Sequence, residues 1–251
     1  MGIRTNNLQD MAFKLTQITD THLTQEHPSR TADLEKCLAA IKAEPTPPDL
    51  IIHSGDVTHN ALPQEYAMAR ELFQTLDCPV LAVPGNRDRR QPFVECFAAD
   101  GYLDTDNPYI QYEIEHGGYR LLFLDTLCEE SNKGELCDAR LLQLSSMLQK
   151  DSVKPVVIIM HHAPFEAHEI PDPKQFVDWN DVAKLSALLK KHPQVERIIC
   201  GHVHRTIASS VAHIPADALT CLAGDLRKGQ VEDSERQLPV FRHFLLGETE
   251  V

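Results

Sequence analysis

Residues 13–22 read FKLTQITDTH, an apolar run that ends in two side chains able to bind a metal ion, Asp20 and His22. The stretch Phe13–Thr19 has the length and the apolar, β-branched composition that predict a buried strand. Asp20 and His22 follow it directly, at the point where the strand ends. The fold can be predicted from where further apolar runs followed by such polar side chains occur along the chain.

The same arrangement recurs after four further apolar runs, and helical patterns separate several of them. One such pattern places apolar residues at i, i+3, i+4 and i+7 from Leu34 to Ile41. The alternation predicts an α/β protein. The polar groups after the four runs are Gly55-Asp56, Gly85-Asn86-Arg87-Asp88, His161-His162 and Gly201-His202-Val203-His204. Because ligands of open α/β sheets bind beyond the carboxyl ends of the strands, we expect all five groups at one rim.

Each group taken alone is a weak signal, and only the set of five predicts a metal site. An isolated Asp-x-His is more often a helix cap beside a surface histidine, and Gly-Asp or Gly-Asn usually marks a turn. Together they offer carboxylate, amide and imidazole ligands, which suit iron, manganese or zinc, and no cysteine falls at a ligand position. We expect two divalent metal ions roughly 3.5–4 Å apart, joined by one bridging carboxylate.

Composition excludes several classes of protein. The chain of 251 residues carries a formal net charge of -13, which argues against binding of duplex nucleic acid. It has no apolar run of the roughly 18 residues that a membrane span needs. Its seven cysteines form no CxxC pair, so we expect reduced thiols and a cytoplasmic location. We expect a single domain over residues 12–251 and a leader or tag-like segment over residues 1–11.

The five groups resemble the motifs of calcineurin-like metallophosphoesterases. The run LTQITDTHL at Leu15–Leu23 and the segment Gly134-Glu135-Leu136 are similar to class III cyclic nucleotide phosphodiesterases and bacterial glycerophosphodiesterases. The resemblance covers roughly residues 12–224. It implies a four-layer αββα sandwich, in which two mixed sheets are flanked by helices.

The resemblance also implies how the metal ligands are divided. Asp20, His22, Asp56 and His204 would hold the first ion, Asp56 would bridge, and Asn86, His161 and His202 would complete the second. Adjacent residues of an extended segment point to opposite sides, so only one of the paired histidines is expected to be a direct ligand. His161, at the strand end, is the preferred one. His162 would then support the ligands or face the substrate.

Arg87 is the position where this chain departs from the family, which usually has histidine after the motif asparagine. In relatives that histidine faces the phosphate. Arginine can clamp a phosphate oxygen, but its pKa is too high for it to act as a proton donor. We therefore name Arg87 and His162 as the catalytic candidates. In the alternative, Arg87 pairs with a carboxylate such as that of Asp88 and does not face the phosphate.

The function implied is a binuclear-metal phosphodiesterase that hydrolyses small phosphodiesters by attack of a metal-bound hydroxide. Cyclic nucleotides such as cAMP lead the substrate candidates, followed by glycerophosphodiesters and phosphomonoesters. A non-enzymatic binding scaffold is disfavoured, because none of the expected ligands is missing. We expect a small-molecule phosphodiester as partner, neither duplex nucleic acid nor membrane, and leave homo-oligomer formation open.

Overall fold

Two mixed β-sheets and six α-helices make up the computed structural model, which describes residues 12–230 and 232–247. The helices are α1 (Pro28–Lys42), α2 (Pro63–Phe73), α3 (Arg90–Phe97), α4 (Asp138–Gln149), α5 (Trp179–Leu189) and the single turn α6 (Asp233–Arg236). Residues 1–11, expected to be a leader or tag-like segment, lie outside the described residues. The single domain over residues 12–251 stays a prediction.

The first sheet contains four strands in the order β10–β1–β2–β3. They are β1 (Phe13–Ile18), β2 (Leu50–His53), β3 (Val80–Ala82) and β10 (Arg242–Leu246). Strands β1, β2 and β3 run parallel, with Ile18 opposite His53 and His53 opposite Ala82. Strand β10 pairs antiparallel with β1. The three parallel strands therefore end side by side.

The second sheet contains six strands in the order β4–β5–β6–β7–β9–β8. They are β4 (Tyr112–His116), β5 (Tyr119–Leu124), β6 (Val156–Met160), β7 (Val195–Cys200), β8 (Ile207–Val211) and β9 (Ile214–Ala218). Strands β5, β6, β7 and β9 are parallel, and the two edge strands β4 and β8 are antiparallel to their neighbours.

The two sheets pack face to face, with helices on both outer sides. Alternate residues of a strand point to opposite faces, and β5 divides accordingly between two core clusters. Leu121 and Phe123 belong to the cluster that also contains β1, β2 and helices α1 to α3, whereas Leu122 and Leu124 belong to the cluster formed with α4 and α5. The predicted α/β sandwich of two mixed sheets flanked by helices is confirmed.

Hydrogen bonds join the two sheets at the rim where the parallel strands end. Gln17 Nε2 donates to the carbonyl of Cys200 over 2.7 Å, and His161 Nδ1 lies 2.9 Å from the carbonyl of Ser54. This rim carries all five polar groups. Each described helix lacks the combination of length and apolar character that crossing a membrane would require.

Candidate metal centre

Five of the predicted ligands have an unusual backbone conformation. Their φ angles are 53° at Asp20, 44° at His22, 56° at Asp56, 70° at His202 and 56° at His204. Residues other than glycine seldom adopt positive φ, and such strain tends to collect at functional sites. The strand ends are therefore bent in a way that turns these side chains towards one another.

The first set of donor atoms consists of Asp20, His22, Asp56 and His204, whose ligand atoms all lie within 4.8 Å of one another. His204 Nε2 is 3.3 Å from Asp20 Oδ1, and His22 Nε2 is 3.4 Å from Asp56 Oδ2. The Nε2 atoms of His22 and His204 are 3.2 Å apart. This is the set that the family resemblance implies for the first metal.

The second set lies on the other side of Asp56. His161 Nε2 is 3.5 Å from Asp56 Oδ1 and 3.2 Å from Asn86 Oδ1. His202 Nδ1 is 2.9 Å from the same oxygen of Asn86. The two carboxylate oxygens of Asp56 thus face different donor sets, as a bridging ligand would require. The structure brings all the predicted ligands together, and their assignment as ligands stays a prediction.

The buried carboxylates among the donor atoms lack a lysine or arginine partner among the described residues that would neutralise their charge, and divalent cations could do so. The carboxylates of Asp20 and Asp56 are buried, and within the described residues neither forms an ion pair with lysine or arginine. Asp20 Oδ1 is buried without a hydrogen-bond donor. Buried charges in proteins are normally paired or coordinated to a metal, so cations would complete this arrangement.

Two of the predicted histidine ligands use one ring nitrogen to bond a backbone carbonyl, and this fixes the orientation of the ring. Nδ1 of His161 bonds the Ser54 carbonyl and Nδ1 of His204 bonds the Leu226 carbonyl, both over 2.9 Å, which leaves Nε2 of each facing the carboxylates. Ligating histidines typically donate their second N–H in this way. Burial lowers the pKa of His22 to about 4 and that of His202 to about 3, so both rings are neutral near pH 7, as metal binding requires.

His161 differs in its protonation when no metal is bound. Burial acts to lower its pKa, but the Asp56 and Asp20 carboxylates outweigh burial and raise the pKa to about 9. A cation bound at Nε2 would replace this proton, since only the neutral ring can act as ligand.

His162 occupies a different environment from His161. It is fully buried, with Nδ1 2.8 Å from Thr126 Oγ1 and Nε2 3.3 Å from the carbonyl of Asn132. Since a carbonyl only accepts, Nε2 carries the proton and Nδ1 accepts from the threonine. Its ring packs 4.5 Å from that of His202, measured between centroids. His162 could still join His161 and His202 around a cation, because its ligand atom lies within 4.8 Å of theirs.

Asp88 holds the loops that carry Asp56 and Asn86. Its carboxylate accepts hydrogen bonds from the backbone N–H groups of Val57, Thr58 and Gly85 and from the hydroxyls of Thr58 and Tyr66. A pair between Arg87 and Asp88 is absent from the described residues. Gly85 is needed for close approach, because a Cβ there would clash with Asp56 Oδ1.

His53 is a supporting residue that the sequence did not reveal. The Thr21 hydroxyl donates to the Val57 carbonyl over 2.8 Å and lies 2.9 Å from His53 Nε2, which must therefore donate to it. His53 Nδ1 then accepts the N–H of Gly55. Burial lowers the pKa of His53 to about 3, so this neutral ring joins the loop after β1 to the loop after β2.

Cys221 is a second residue missed from the sequence. Its sulfur lies within 4.8 Å of the ligand atoms of His22 and His204. The thiol donates to the carbonyl of Asp20 over 3.0 Å, and burial raises its pKa well above the usual range. Cys221 is therefore a protonated thiol beside the first donor set, and thiols bind metal only once deprotonated.

A cavity of about 280 Å³ opens onto the two donor sets. Besides five of the predicted ligands it is lined by Arg87, which is exposed, and by four residues that the sequence did not single out, His59, Asn132, Leu226 and Lys228. The backbone N–H of Arg87 donates to Asp56 Oδ1 over 2.7 Å. The arginine therefore sits beside the central carboxylate, with its side chain at the mouth of the cavity.

Comparison with known proteins gives the same family as the motifs. The family model described as calcineurin-like phosphoesterase matches residues 13–206. The glycerophosphodiester phosphodiesterase of Enterobacter lignolyticus is 30% identical over 218 residues, covering 80% of this chain and 76% of that protein. A 3',5'-cyclic adenosine monophosphate phosphodiesterase of Pseudomonas aeruginosa is 26% identical over 205 residues, covering 78% of this chain and 71% of that one.

A solved structure supports the fold. The chain superimposes on a dimetal phosphatase from Danio rerio with a TM-score of 0.70 and 15% sequence identity, covering 85% of this chain and 88% of that one. At this identity the likeness concerns the arrangement of sheets and helices alone.

Proposed function

This chain belongs to the calcineurin-like phosphoesterase family, and from that premise we propose that it hydrolyses small phosphodiesters with two metal ions bound around Asp56. The family resemblance drawn from the motifs is confirmed, and the chain is a metal-dependent phosphoester hydrolase. The substrate, the number of ions and the identity of the metals belong to the proposal.

The position of Asp56 carries the proposal. Its Oδ2 faces His22 at 3.4 Å and its Oδ1 faces His161 at 3.5 Å. One carboxylate placed between two clusters of nitrogen and oxygen donors is the arrangement that a two-metal site uses. The mixed donors favour iron, manganese or zinc.

Two bound ions would supply Lewis acidity for the phosphoryl oxygens and a water whose pKa falls to roughly 7. The protein's own residues hold and orient the phosphate. Arg87, at the mouth of the cavity, can donate two parallel hydrogen bonds to phosphate oxygens, and its charge offsets the charge that develops on the transferring group. The buried ring of His162, held by Thr126 and Asn132, packs against the ring of His202 and fixes its orientation.

Two substrate classes are candidates. Cyclic nucleotides such as cAMP remain the first, supported by the 26% identical relative named for that activity. Glycerophosphodiesters are the second, and the 30% identical relative favours them. Phosphomonoesters stay a third alternative on the same site. The formal charge of -13 supports a small substrate rather than duplex nucleic acid, and the free cysteines support a reducing, cytoplasmic location.

A substrate panel tests the proposal. Protein loaded with manganese, iron or zinc would be assayed on bis(p-nitrophenyl) phosphate, p-nitrophenyl phosphate, cAMP and glycerophosphodiesters. We expect a higher kcat/KM for the aryl diester than for the aryl monoester, and turnover of at least one of the two natural diester classes. Exclusive hydrolysis of monoesters would contradict the proposal.

Arg87→Ala is expected to weaken transition-state binding by about 2–4 kcal/mol, the cost of losing a donor that stabilises developing charge. Since arginine does not supply a proton at neutral pH, Arg87→His should restore more activity on cAMP, with its poor leaving group, than on an activated aryl diester. The measurement is kcat/KM of all three proteins on both substrates.

The matched control for Arg87 is Lys36→Ala, which removes one positive charge from the exposed face of α1. It should leave kcat/KM unchanged. If Arg87→Ala behaves like this control on both substrates, Arg87 does not contact the phosphate.

A further inference from the structure

A larger cleft of about 520 Å³ adjoins the cavity at the metal centre. Its lining combines basic, hydroxyl and apolar side chains. We call it the basic cleft and define it by Arg205, Thr220, Lys228, Ile207, Leu238 and Val240.

The two cavities share a wall made by the segment around His204. Lys228 lines both of them. The Lys228 N–H and the Thr220 hydroxyl both donate to the His204 carbonyl, over 3.1 Å and 2.9 Å. Arg205 directly follows His204 in the chain. The basic cleft therefore lies directly beside the metal centre, with the segment around His204 between the two.

The positive charges of the cleft are not neutralised by neighbouring residues. Within residues 12–230 and 232–247, neither Arg205 nor Lys228 lies within ion-pair distance of a carboxylate, and Arg205 Nε is buried without a hydrogen-bond partner. Gly229, with φ of 99°, leaves room for the Arg205 guanidinium, because a Cβ at residue 229 would lie 2.6 Å from Arg205 Nη2.

The remaining charged residues leave the cleft with an excess of positive charge. Arg227 also lines it, and its guanidinium donates to the carbonyls of Cys221, Leu222, Glu235 and Leu238 rather than to a carboxylate. Two carboxylates, those of Glu169 and Glu235, face these three cations. In a chain of formal charge -13 this local excess of one positive charge favours an anion over a cation in the cleft.

We propose that the basic cleft binds one arm of the substrate and that Arg205 and Lys228 recognise a second phosphate on that arm. The proposal rests on the phosphodiesterase activity proposed for the metal centre, and it adds that phosphodiesters carrying a further phosphate are preferred over otherwise identical ones that lack it. Phosphate suits this site because guanidinium offers it a planar pair of donors and lysine adds a point charge. The apolar residues Ile207, Leu238 and Val240 would contact the carbon skeleton of the arm.

Two chromogenic substrates that differ by one phosphate test the proposal. They are the p-nitrophenyl ester of thymidine 5'-phosphate and the same ester with a 3'-phosphate. The metal-loaded wild type should prefer the 3'-phosphorylated ester in kcat/KM by at least about tenfold, because hydrogen bonds between charged groups typically contribute about that factor. The double variant Arg205→Ala, Lys228→Ala should lose this preference, Arg205→Lys should retain part of it, and Lys36→Ala should keep all of it.

A binding measurement separates the cleft from the chemistry. Calorimetry would compare thymidine 3',5'-bisphosphate with thymidine 5'-phosphate on the metal-loaded wild type and the double variant, with metal content measured in both. We expect tighter binding of the bisphosphate by wild type alone. Equal affinities in wild type, or a preference that survives in the double variant, would overturn the proposal. If neither ester is hydrolysed while the bisphosphate preference is present, the proposed activity fails and the anion site stands.

Discussion

Asp56→Ala is expected to abolish phosphodiester hydrolysis and to release both metal ions. Asp56 directs its two oxygens at both donor sets, at 3.4 Å from His22 Nε2 and 3.5 Å from His161 Nε2. Its removal would take from a buried site the carboxylate that we propose bridges the two ions. Elemental analysis after dialysis and kcat/KM on an aryl diester would measure the two effects.

The control for this change is Asp106→Ala, which removes an exposed carboxylate and should keep both metals and full activity. Circular dichroism of the Asp56 variant would establish that it folds. If the folded variant retained both ions and normal turnover, the bridging assignment would be wrong.

The second large effect concerns metal affinity, which we expect His161→Ala to lower and His162→Ala to leave unchanged. His161→Ala should lower metal affinity at the second site by more than about 100-fold, since even loss of a hydrogen-bond partner of a ligand typically costs about 10–100-fold. The reason is that Nδ1 of His161 is bonded to Ser54, which leaves Nε2 directed at Asp56 and Asn86. His162→Ala should keep the metals and change the kinetics, because both nitrogens of that ring have partners in the protein.

Metal content and kinetics of the two alanine variants, measured side by side, decide between the histidines. Each variant serves as the matched control for the other, since both lose an imidazole of equal size from neighbouring positions. Loss of metal from His162→Ala with retention in His161→Ala would mean that the ligand had been assigned to the wrong ring.

The strands that carry the site could be predicted from the sequence because their signals are local. An apolar run that stops at Asp20, Asp56 or His161 marks both the strand and its end. The division into two sheets could not be predicted in this way. Strand β10 joins β1 with Phe13 opposite Leu246, a pairing between residues at opposite ends of the chain that no local pattern specifies.

The residues that support the metal ligands could not be identified from the sequence for a related reason. His53 has the sequence appearance of a last strand residue, and its role depends on Thr21 and Gly55, which only the folded loops bring to it. The basic cleft likewise brings together Arg205, which precedes β8, and Lys228, which follows β9. A residue that acts through tertiary contacts can be recognised only in the folded structure, whereas a residue at the end of a strand can be recognised from the sequence.

Metal reconstitution shows whether hydrolysis requires two bound ions. Protein from which a chelator has removed the metal would be titrated with manganese, and bound metal and hydrolysis of bis(p-nitrophenyl) phosphate would be measured together. We expect the stripped protein to be inactive and activity to rise as the second ion binds, reaching its maximum at two ions per chain. Full activity in the stripped protein, or maximal activity with a single ion bound, would show that the site does not work with two metals.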